Sequence, residues 1–309
     1  MRRIFSVTLV SSLIIFGLNQ PIKAVEAPQP TLAIIDTALN SQMPQFKDKV
    51  VFEACVLDWP SCPNGKAFME GPGSAALPVN LITKNGNDHG TKMVSAALTT
   101  NPNLKIVFVR YRGATADGTP QITNESSFVN AFKWVWENRQ RFNIQAVAMS
   151  QGHSNFAAGQ ADYCPKTPAT QGMLQQFANA GIPVFLPAGN TRDQKRVNWP
   201  SCFPEAVTIS ATGAGDGIAI YSNFDINRTD FFAPGTLRVL QGDGTFKNEA
   251  GTSVSVQVSA AIWMHMRAKN PNLTYSELIS LLNAQGEQIA GRTWKNVKIR
   301  VLNGYNFVK

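Results

Sequence analysis

Short apolar runs that alternate with amphipathic stretches constrain the fold of this chain more than any other feature. Glu125–Arg141 and Thr170–Ala180 each carry apolar side chains near one helical face, and each lies between two apolar runs. Apolar runs of this length that end in turn residues are typical of buried strands. Strands that alternate with helices predict an α/β fold with a central parallel sheet. The predicted strands are Thr31–Ile35, Lys105–Tyr111, Gln145–Met149, Pro183–Leu186 and Ala206–Ser210.

Two further segments complete the organisation of the chain. Thr274 and Glu277 form the pattern of a capping box, which predicts a helix that continues through Leu282. The segment Cys55–Asn87 is rich in Gly and Pro, which predicts a long surface insertion.

The first 24 residues are typical of a secretory signal peptide. Arg2 and Arg3 precede the apolar run Ile4–Leu18, and the small residue Ala24 closes the segment. The alternative is an uncleaved membrane anchor, but the run is shorter than the ~20 residues that span a bilayer. We expect export to a periplasm or to the medium, with residues 25–309 as one folded domain and no stable membrane insertion after cleavage.

The chain has four cysteines, an even number that predicts two disulfides in an oxidising compartment. Three pairings are open, and we favour Cys55–Cys62 with Cys164–Cys202. The alternative is a metal site, but no CxxC pattern occurs and no histidine lies near any of the four. The sequence therefore assigns no metal.

The charge of the chain gives no indication of a nucleic-acid partner. The net charge of +8 falls to +5 once Arg2, Arg3 and Lys23 are removed with the signal. No dense cluster of Lys and Arg with interleaved aromatic residues occurs. We interpret the remaining positive charge as a solvated surface and expect no nucleic-acid binding.

Four polar residues lie at the boundaries of the predicted elements. Asp36 follows the first strand directly, and His89 begins a helical stretch of small and apolar residues. Asn190 follows the fourth strand, and Ser253 begins a long stretch of small and apolar residues. Taken singly, each has an ordinary structural interpretation: a turn acid, a surface histidine, a turn amide and a helix cap.

The order of these four residues along the chain is more informative than any of them alone. Asp, then His, then Ser is the order that subtilisin uses for its catalytic triad. The α/β-hydrolase order begins with Ser in Gly-x-Ser-x-Gly, which does not occur here. The chymotrypsin order begins with His and belongs to an all-β fold. The sequence thus favours acyl transfer with Ser253 as nucleophile and Asn190 as an oxyanion donor.

These motifs together resemble those of the subtilisin-like serine peptidase (subtilase) family, from about Thr31 to Leu282. Segment 148–152 resembles the family's "NMSLG" strand, and segment 187–190 resembles its "AAGN" motif. Segments 221–224 and 232–235 resemble its "FSN" and "APG" stretches. The Asp, His and Ser motifs of the family are matched by Ala33–Thr37, His89–Thr91 and Gly251–Ser253.

The resemblance implies a single subtilisin-like three-layer α/β domain and a set of roles. Ser253 attacks the scissile carbonyl, His89 moves the proton, and Asp36 orients the imidazole. Asn190 and the backbone N–H of Ser253 bind the oxyanion. An extended polypeptide substrate would pair with the backbone at six further residues. These substrate-binding residues are Ser150, Gln151, Gly152, Pro187, Ala188 and Gly189.

The sequence departs from the family pattern at three positions. Ala38 replaces a usual Gly, Lys92 replaces a second His, and Gln257 replaces the Pro that follows the nucleophile. The cation at Lys92 should favour the neutral form of His89. After Ser253, valines alternate with other residues, so periodicity alone predicts a strand, whereas the resemblance predicts a buried helix.

Two alternatives remain open from the sequence. One is a degenerate relative that binds peptides or a partner protein without cleaving them, and the other is a hydrolase of small esters or amides. Asp36 lies about a dozen residues after the predicted signal, so we expect no propeptide in this chain. Family members often bind calcium in loops, but no acidic run here has ligand spacing, so we assign no cofactor.

Overall fold

The computed structural model describes residues 29–153, 164–288, 300–302 and 307, and the predicted signal peptide at residues 1–24 lies outside them. The helices are α1 (Val79–Ile82), α2 (His89–Thr100), α3 (Glu125–Asn138), α4 (Pro168–Asn179), α5 (Thr252–Lys269) and α6 (Tyr275–Gln285). The first strands are β1 (Thr31–Asp36), β2 (Val50–Val56), β3 (Phe68–Glu70), β4 (Lys105–Arg110) and β5 (Ile144–Met149). The others are β6 (Val184–Pro187), β7 (Val207–Thr212), β8 (Phe231–Pro234), β9 (Thr236–Leu240), β10 (Phe246–Ala250), β11 (Glu287–Gln288) and β12 (Arg300–Val301).

Within the described ranges, ten strands form one sheet in the order β11-β12-β8-β7-β6-β5-β1-β4-β2-β3. All its pairings are parallel except those of the two edge strands, β3 with β2 and β11 with β12. Strands β9 and β10 form a separate antiparallel hairpin. The carboxyl ends of β1, β5 and β6 therefore lie side by side at one edge, where open α/β sheets place their sites.

Side chains of the central strands alternate between two hydrophobic cores, one on each face of the sheet. On β1, Leu32 and Ile34 pack with α2, α5 and α6, whereas Ala33 and Ile35 pack with α3 and α4. Strands that are covered on both faces give continuous apolar runs in a sequence. This arrangement confirms the predicted three-layer α/β fold, and the five predicted strands correspond to β1, β4, β5, β6 and β7.

Helix α5 shows why periodicity alone fails after Ser253. Val254, Val256 and Val258 alternate in the sequence, yet all three are buried in a helix of 18 residues. The helix is buried on nearly all sides, so its apolar residues need not follow a helical period. The helical interpretation from the resemblance is confirmed, and the strand that periodicity suggests is wrong.

The segment 55–87 does more than cover the surface. It begins within β2 and carries β3, which pairs with β2 at the edge of the sheet. Ser74 and Ala75 are fully buried, and the carboxylate of Glu53 accepts hydrogen bonds from the backbone N–H groups of Gly73 and Ala75. Part of this Gly- and Pro-rich segment thus belongs to the core of the domain.

The remaining local predictions concern a helix cap and the cysteines. Thr274 accepts a hydrogen bond from the Glu277 backbone while the Glu277 carboxylate accepts one from the Thr274 backbone, so the capping box is present. Disulfides join Cys55 to Cys62 and Cys164 to Cys202, the favoured pairing. None of the helices in the described part of the chain is long and apolar enough to cross a membrane.

Candidate active site

A cleft of about 350 Å³ lies at the carboxyl edge of the sheet, between the starts of α2 and α5. Of the site residues that the sequence analysis selected, the structure places all but Asp36 and Ala188 on its walls. The cleft is lined by Thr37, Gly86, His89, Arg112, Ser150, Gln151, Gly152, Pro187, Gly189, Asn190, Thr191, Asn198, Thr252 and Ser253.

Asp36 and His89 form the closest pair of titratable groups at this cleft. The Asp36 Oδ1 atom lies 2.7 Å from His89 Nδ1 and also accepts a hydrogen bond of 2.7 Å from the Thr37 backbone. Asp36 is fully buried at the end of β1, whereas the His89 side chain is 21% exposed at the start of α2. The carboxylate therefore lies behind the imidazole and leaves the other ring nitrogen available to the cleft.

A close approach of two backbones holds this pair together. A Cβ atom at Gly90 would lie 2.6 Å from the Phe108 ring and 2.7 Å from the Ala38 carbonyl oxygen, so only glycine fits. Thr37 Oγ1 accepts a hydrogen bond from the Gly90 N–H, which ties the end of β1 to the start of α2. Ala38 is not among the residues with positive φ, so the departure from glycine at this position needs no strained backbone.

The pKa of His89 lies above its ordinary value of 6.5 as the balance of opposing effects. Burial is the largest effect and lowers the pKa, but the charge and hydrogen bond of Asp36 together with the charge of Glu249 raise it by more. Lys92 lowers the pKa, in the direction expected from the sequence, and forms ion pairs with Asp88 at 3.3 Å and Glu249 at 3.4 Å. Sequence reasoning missed Glu249, which the β9–β10 hairpin brings from a distant part of the chain.

Two substitutions should move the pKa of His89 in opposite directions. Glu249→Gln removes a nearby negative charge and lowers the pKa, whereas Lys92→Gln removes a positive charge and raises it. An NMR titration can follow this, because the chain has three histidines and burial lowers the pKa of His153 and His265. We expect His89 to be the last of the three to lose its proton as the pH rises. Shifts of the same sign in the two variants would contradict the electrostatic assignment.

Gln151 makes a contact that the sequence analysis did not foresee. Its Nε2 donates a hydrogen bond of 3.1 Å to Asp36 Oδ1, the atom that also faces His89. The hydroxyl of the buried Tyr111 donates one of 3.3 Å to Gln151 Oε1, which fixes the orientation of the amide. Burial and then the charge of Asp36 raise the pKa of Tyr111, so its hydroxyl stays a donor. The sequence feature that could have indicated this contact is Gln151 itself, a polar residue where the family's "NMSLG" strand has Leu.

Ser253 lies in the first turn of α5, against the end of β5. Its Oγ donates a hydrogen bond of 3.1 Å to the Ser150 carbonyl, and Ser150 Oγ donates one of 2.9 Å to the Ser253 carbonyl. Gln257, which replaces the usual proline, is buried and donates from Nε2 to Ser150 Oγ at 2.8 Å. Among the described residues, Ser253 bonds to Ser150 rather than to His89, although both side chains line the same cleft.

Asn190 lies beside the start of α5 with its amide oriented by Thr252. Asn190 Oδ1 accepts hydrogen bonds from the Thr252 N–H at 2.9 Å and from its hydroxyl at 3.0 Å. The Nδ2 group therefore lies on the other side of the amide. A Cβ atom at Gly251 would lie 3.3 Å from that Nδ2 group, next to the turn that carries Ser253.

Ala188 differs from the other predicted substrate-binding residues. It is fully buried, its N–H donates to the Ile209 carbonyl, and its carbonyl accepts from the Asn198 N–H. By contrast, the backbone groups of Gln151 and Gly152 have no hydrogen-bond partner within the described ranges. The segment that follows β5 therefore offers a free edge to an extended chain, and Ala188 supports the opposite wall from behind.

Comparisons with solved structures identify this architecture. The fold is similar to that of a cold-adapted subtilisin-like serine proteinase, with a TM-score of 0.65 and 21% identity over 90% of this chain and 89% of that chain. It is also similar to the proteases from Pseudoalteromonas arctica PAMC 21717, with a TM-score of 0.68 and 17% identity over 91% of this chain and 90% of that one. The domain is thus a subtilisin-like α/β domain.

The family follows from the sequence comparison. The family model described as the subtilase family matches residues 28–293, so the chain belongs to that family. A cuticle-degrading serine protease of Arthrobotrys oligospora is 29% identical over 192 residues, which cover 60% of this chain and 42% of that protein. A cuticle-degrading serine protease of Orbilia oligospora is also 29% identical over 192 residues, which cover 60% of this chain and 40% of that protein. This chain therefore spans about two fifths of these curated relatives.

Proposed function

We propose that this chain is an exported serine endopeptidase that cleaves polypeptides with Ser253, His89 and Asp36. The observation that carries the proposal is the 2.7 Å contact between Asp36 and His89, in a cleft that His89 shares with Ser253 and Asn190. An acid that orients an imidazole beside a hydroxyl is the arrangement that activates a serine nucleophile. The names of the relatives and structural neighbours support the same activity.

The acylation step follows from these positions. Ser253 Oγ forms a bond to the scissile carbonyl carbon while its proton passes to His89 Nε2, and the buried Asp36 stabilises the imidazolium. The negative charge that develops on the carbonyl oxygen is held by Asn190 Nδ2 and the Ser253 N–H. When the tetrahedral species collapses, the C–N bond breaks and the leaving amine takes the proton from His89.

Deacylation repeats the same chemistry with water. His89 accepts a proton from water as the water oxygen attacks the acyl carbon, and it returns that proton to Ser253 Oγ as the ester bond breaks. The peptide carboxylic acid leaves and the free serine is restored. No metal or redox group takes part in the proposed steps.

The shape of the binding surface supports an endopeptidase. Gln151 and Gly152 present free backbone groups, and a substrate strand that pairs with them needs only its own backbone. Backbone recognition admits an internal segment of a chain and does not require a terminus. Export is supported by the signal-like residues 1–24 and by the two disulfides, which persist in oxidising compartments.

One observation favours the alternative of a degenerate protein that binds peptides or a partner. The Ser253 hydroxyl donates to the Ser150 carbonyl, so it must turn towards His89 before it can react. Catalytic hydrogen bonds are often completed only in the substrate complex. The two functions differ in whether Ser253 reacts as a nucleophile when an electrophile occupies the cleft.

A fluorophosphonate probe distinguishes the two functions. We expect the purified protein to be labelled on Ser253, as located by mass spectrometry, because His89 can accept its proton. Labelling should be lost in His89→Ala and retained in His265→Ala, which removes a histidine that does not line the cleft. A folded protein that takes no label would refute the peptidase and leave the binding function.

A further inference from the structure

A second cavity, of about 440 Å³, lies beside the catalytic cleft and shares one wall with it. We name it the side cavity. Arg112 is the residue that lines both spaces, and the other side-cavity residues that matter here are Asn124, Glu125, His153 and Trp199. A group bound in the side cavity would therefore lie next to a peptide in the catalytic cleft.

Among the described residues that line the catalytic cleft, Arg112 is the one whose side chain is always charged. No Asp, Glu, Lys or other Arg occurs among the described residues that line it. The Arg112 side chain is half-buried, and its Nε donates a hydrogen bond of 3.0 Å to the Gln121 carbonyl. Its terminal nitrogens have no partner in the described part of the chain. A guanidinium held in this way offers two donors to a carboxylate.

Among the described residues that line the side cavity, Glu125 is the only acid, and the other walls add no negative charge. His153 stacks on Trp199, and both burial and Arg112 lower the pKa of His153, so its ring is neutral at neutral pH. The N-terminus of α3, a helix of 14 residues capped by Asn124, adds the positive end of its dipole.

Two acids lie near these walls, and both already have partners. The Glu125 carboxylate accepts hydrogen bonds from the Thr170 N–H at 3.0 Å and its hydroxyl at 3.2 Å, at the start of α4. The Asp58 carboxylate accepts hydrogen bonds from the side chains of α3 residues Ser126, Ser127 and Asn130. Neither carboxylate forms an ion pair with Arg112.

The chain that follows β5 runs from the catalytic cleft to the side cavity. Ser150 touches the nucleophile, Gln151 and Gly152 have free backbone groups, and the backbone of His153 pairs with that of Trp199. Three residues of extended chain span about 10 Å. A substrate strand that pairs with this segment would thus carry a side chain to Arg112 a few residues from the scissile bond.

We propose that the side cavity binds an acidic side chain of the substrate, Asp or Glu, through the guanidinium of Arg112. The proposal rests on the function proposed above, because it assigns the cavity to a peptide that lies in the same cleft. It gives the protein a preference for acidic residues at one position near the cleavage site, where the backbone contacts alone would accept any side chain.

Matched quenched-fluorescence peptides test this preference. Peptides that differ only in Glu, Gln or Lys at each position within four residues of the scissile bond are compared by kcat/KM. We expect Glu to exceed Gln about tenfold at one position, which is ~1.4 kcal/mol. The preference should vanish in Arg112→Gln and turn towards Lys in Arg112→Glu. Lys66→Gln is the control, because Lys66 is exposed and lines neither space.

Binding to Ser253→Ala separates this inference from the proposed function. Fluorescence anisotropy with the same labelled peptides should show tighter binding of the Glu peptide, and Arg112→Gln in that background should abolish the difference. Discrimination by Ser253→Ala without any turnover by the native protein would remove the peptidase function and keep the acid-binding cavity. Equal binding of Glu and Gln peptides at every position, or a preference that survives Arg112→Gln, would overturn the inference.

Discussion

Replacement of Ser253 by Ala should lower peptide turnover by about 10⁶-fold, the cost of losing the nucleophile in a serine peptidase of this class. The loss concerns kcat, because the peptide still pairs with the backbone at Gln151 and Gly152 and its KM should change little. The fold should persist, since Ser253 contributes one side-chain hydrogen bond, to the Ser150 carbonyl. The measurement is steady-state cleavage of an unstructured peptide, with thermal unfolding of both proteins.

The same helix offers a matched control for this change. Ser259 is fully buried in α5, and its hydroxyl has no hydrogen-bond partner in the described ranges. Ser259→Ala removes an unpaired polar group, so it should leave turnover unchanged and stability equal or slightly higher. Turnover that survives in Ser253→Ala, within tenfold of the native protein, would show that another group is the nucleophile.

The layers of the fold could be predicted because both faces of the sheet are covered. Each central strand then appears in the sequence as a continuous apolar run, and each covering helix as an amphipathic stretch. Where this relation breaks, the prediction fails. Helix α5 is buried on nearly every side, so its valines follow no helical period, and only the resemblance to a family indicated a helix.

The candidate site was predictable only to the extent that it lies at element boundaries. Asp36 ends β1, His89 begins α2, Ser253 lies in the first turn of α5 and Asn190 lies in the loop after β6, and their order along the chain indicated a common chemistry. The side-chain contact of Gln151 with Asp36 was not predicted, because it depends on side-chain direction. Glu249 was missed because the β9–β10 hairpin, which no local pattern encodes, brings it near His89. No sequence pattern indicated Arg112 either. It lies in a loop after β4, and the two cavities that it lines form only in the folded protein.

The backbone contacts of Ala188 show a further limit of motif comparison. A motif implies that neighbouring residues share a role, whereas the folded chain already uses both backbone groups of Ala188 to join β7 and the loop of Asn198. Gly189, next in the chain, does line the cleft, with a φ of +114° and no room for a Cβ beside Asn198. Adjacent residues of one motif thus separate into a supporting residue and a cleft residue.

Replacement of Asp36 by Asn should lower turnover by about 10⁴-fold while the side chain keeps its size. The amide carries no charge, so it cannot stabilise the imidazolium that His89 forms when it takes the Ser253 proton. The carboxylate oxygen nearest His89 also accepts hydrogen bonds from the Thr37 N–H and from Gln151. The same donors would hold the amide of the variant in place, so it cannot reorient to make up for the lost interaction with the imidazolium. The measurement is kcat/KM for a peptide, together with the NMR titration of His89, whose pKa should fall because Asp36 raises it.

Comparison with Glu249→Gln shows whether Asp36 acts on His89 through its direct hydrogen bond or only through its charge. Glu249 also raises the pKa of His89, but only through its charge, so its loss should move the acid limb of the pH profile to lower pH and leave turnover above that limb unchanged. The base must be neutral, so activity rises as the pH passes through the pKa of His89 in both variants. If Asp36→Asn matched Glu249→Gln, with a shifted limb and native turnover above it, Asp36 would act on His89 only as a distant charge. A fall of about 10⁴-fold at every pH, with a folded protein, would place its role in the 2.7 Å contact that holds the imidazole in the orientation the reaction needs.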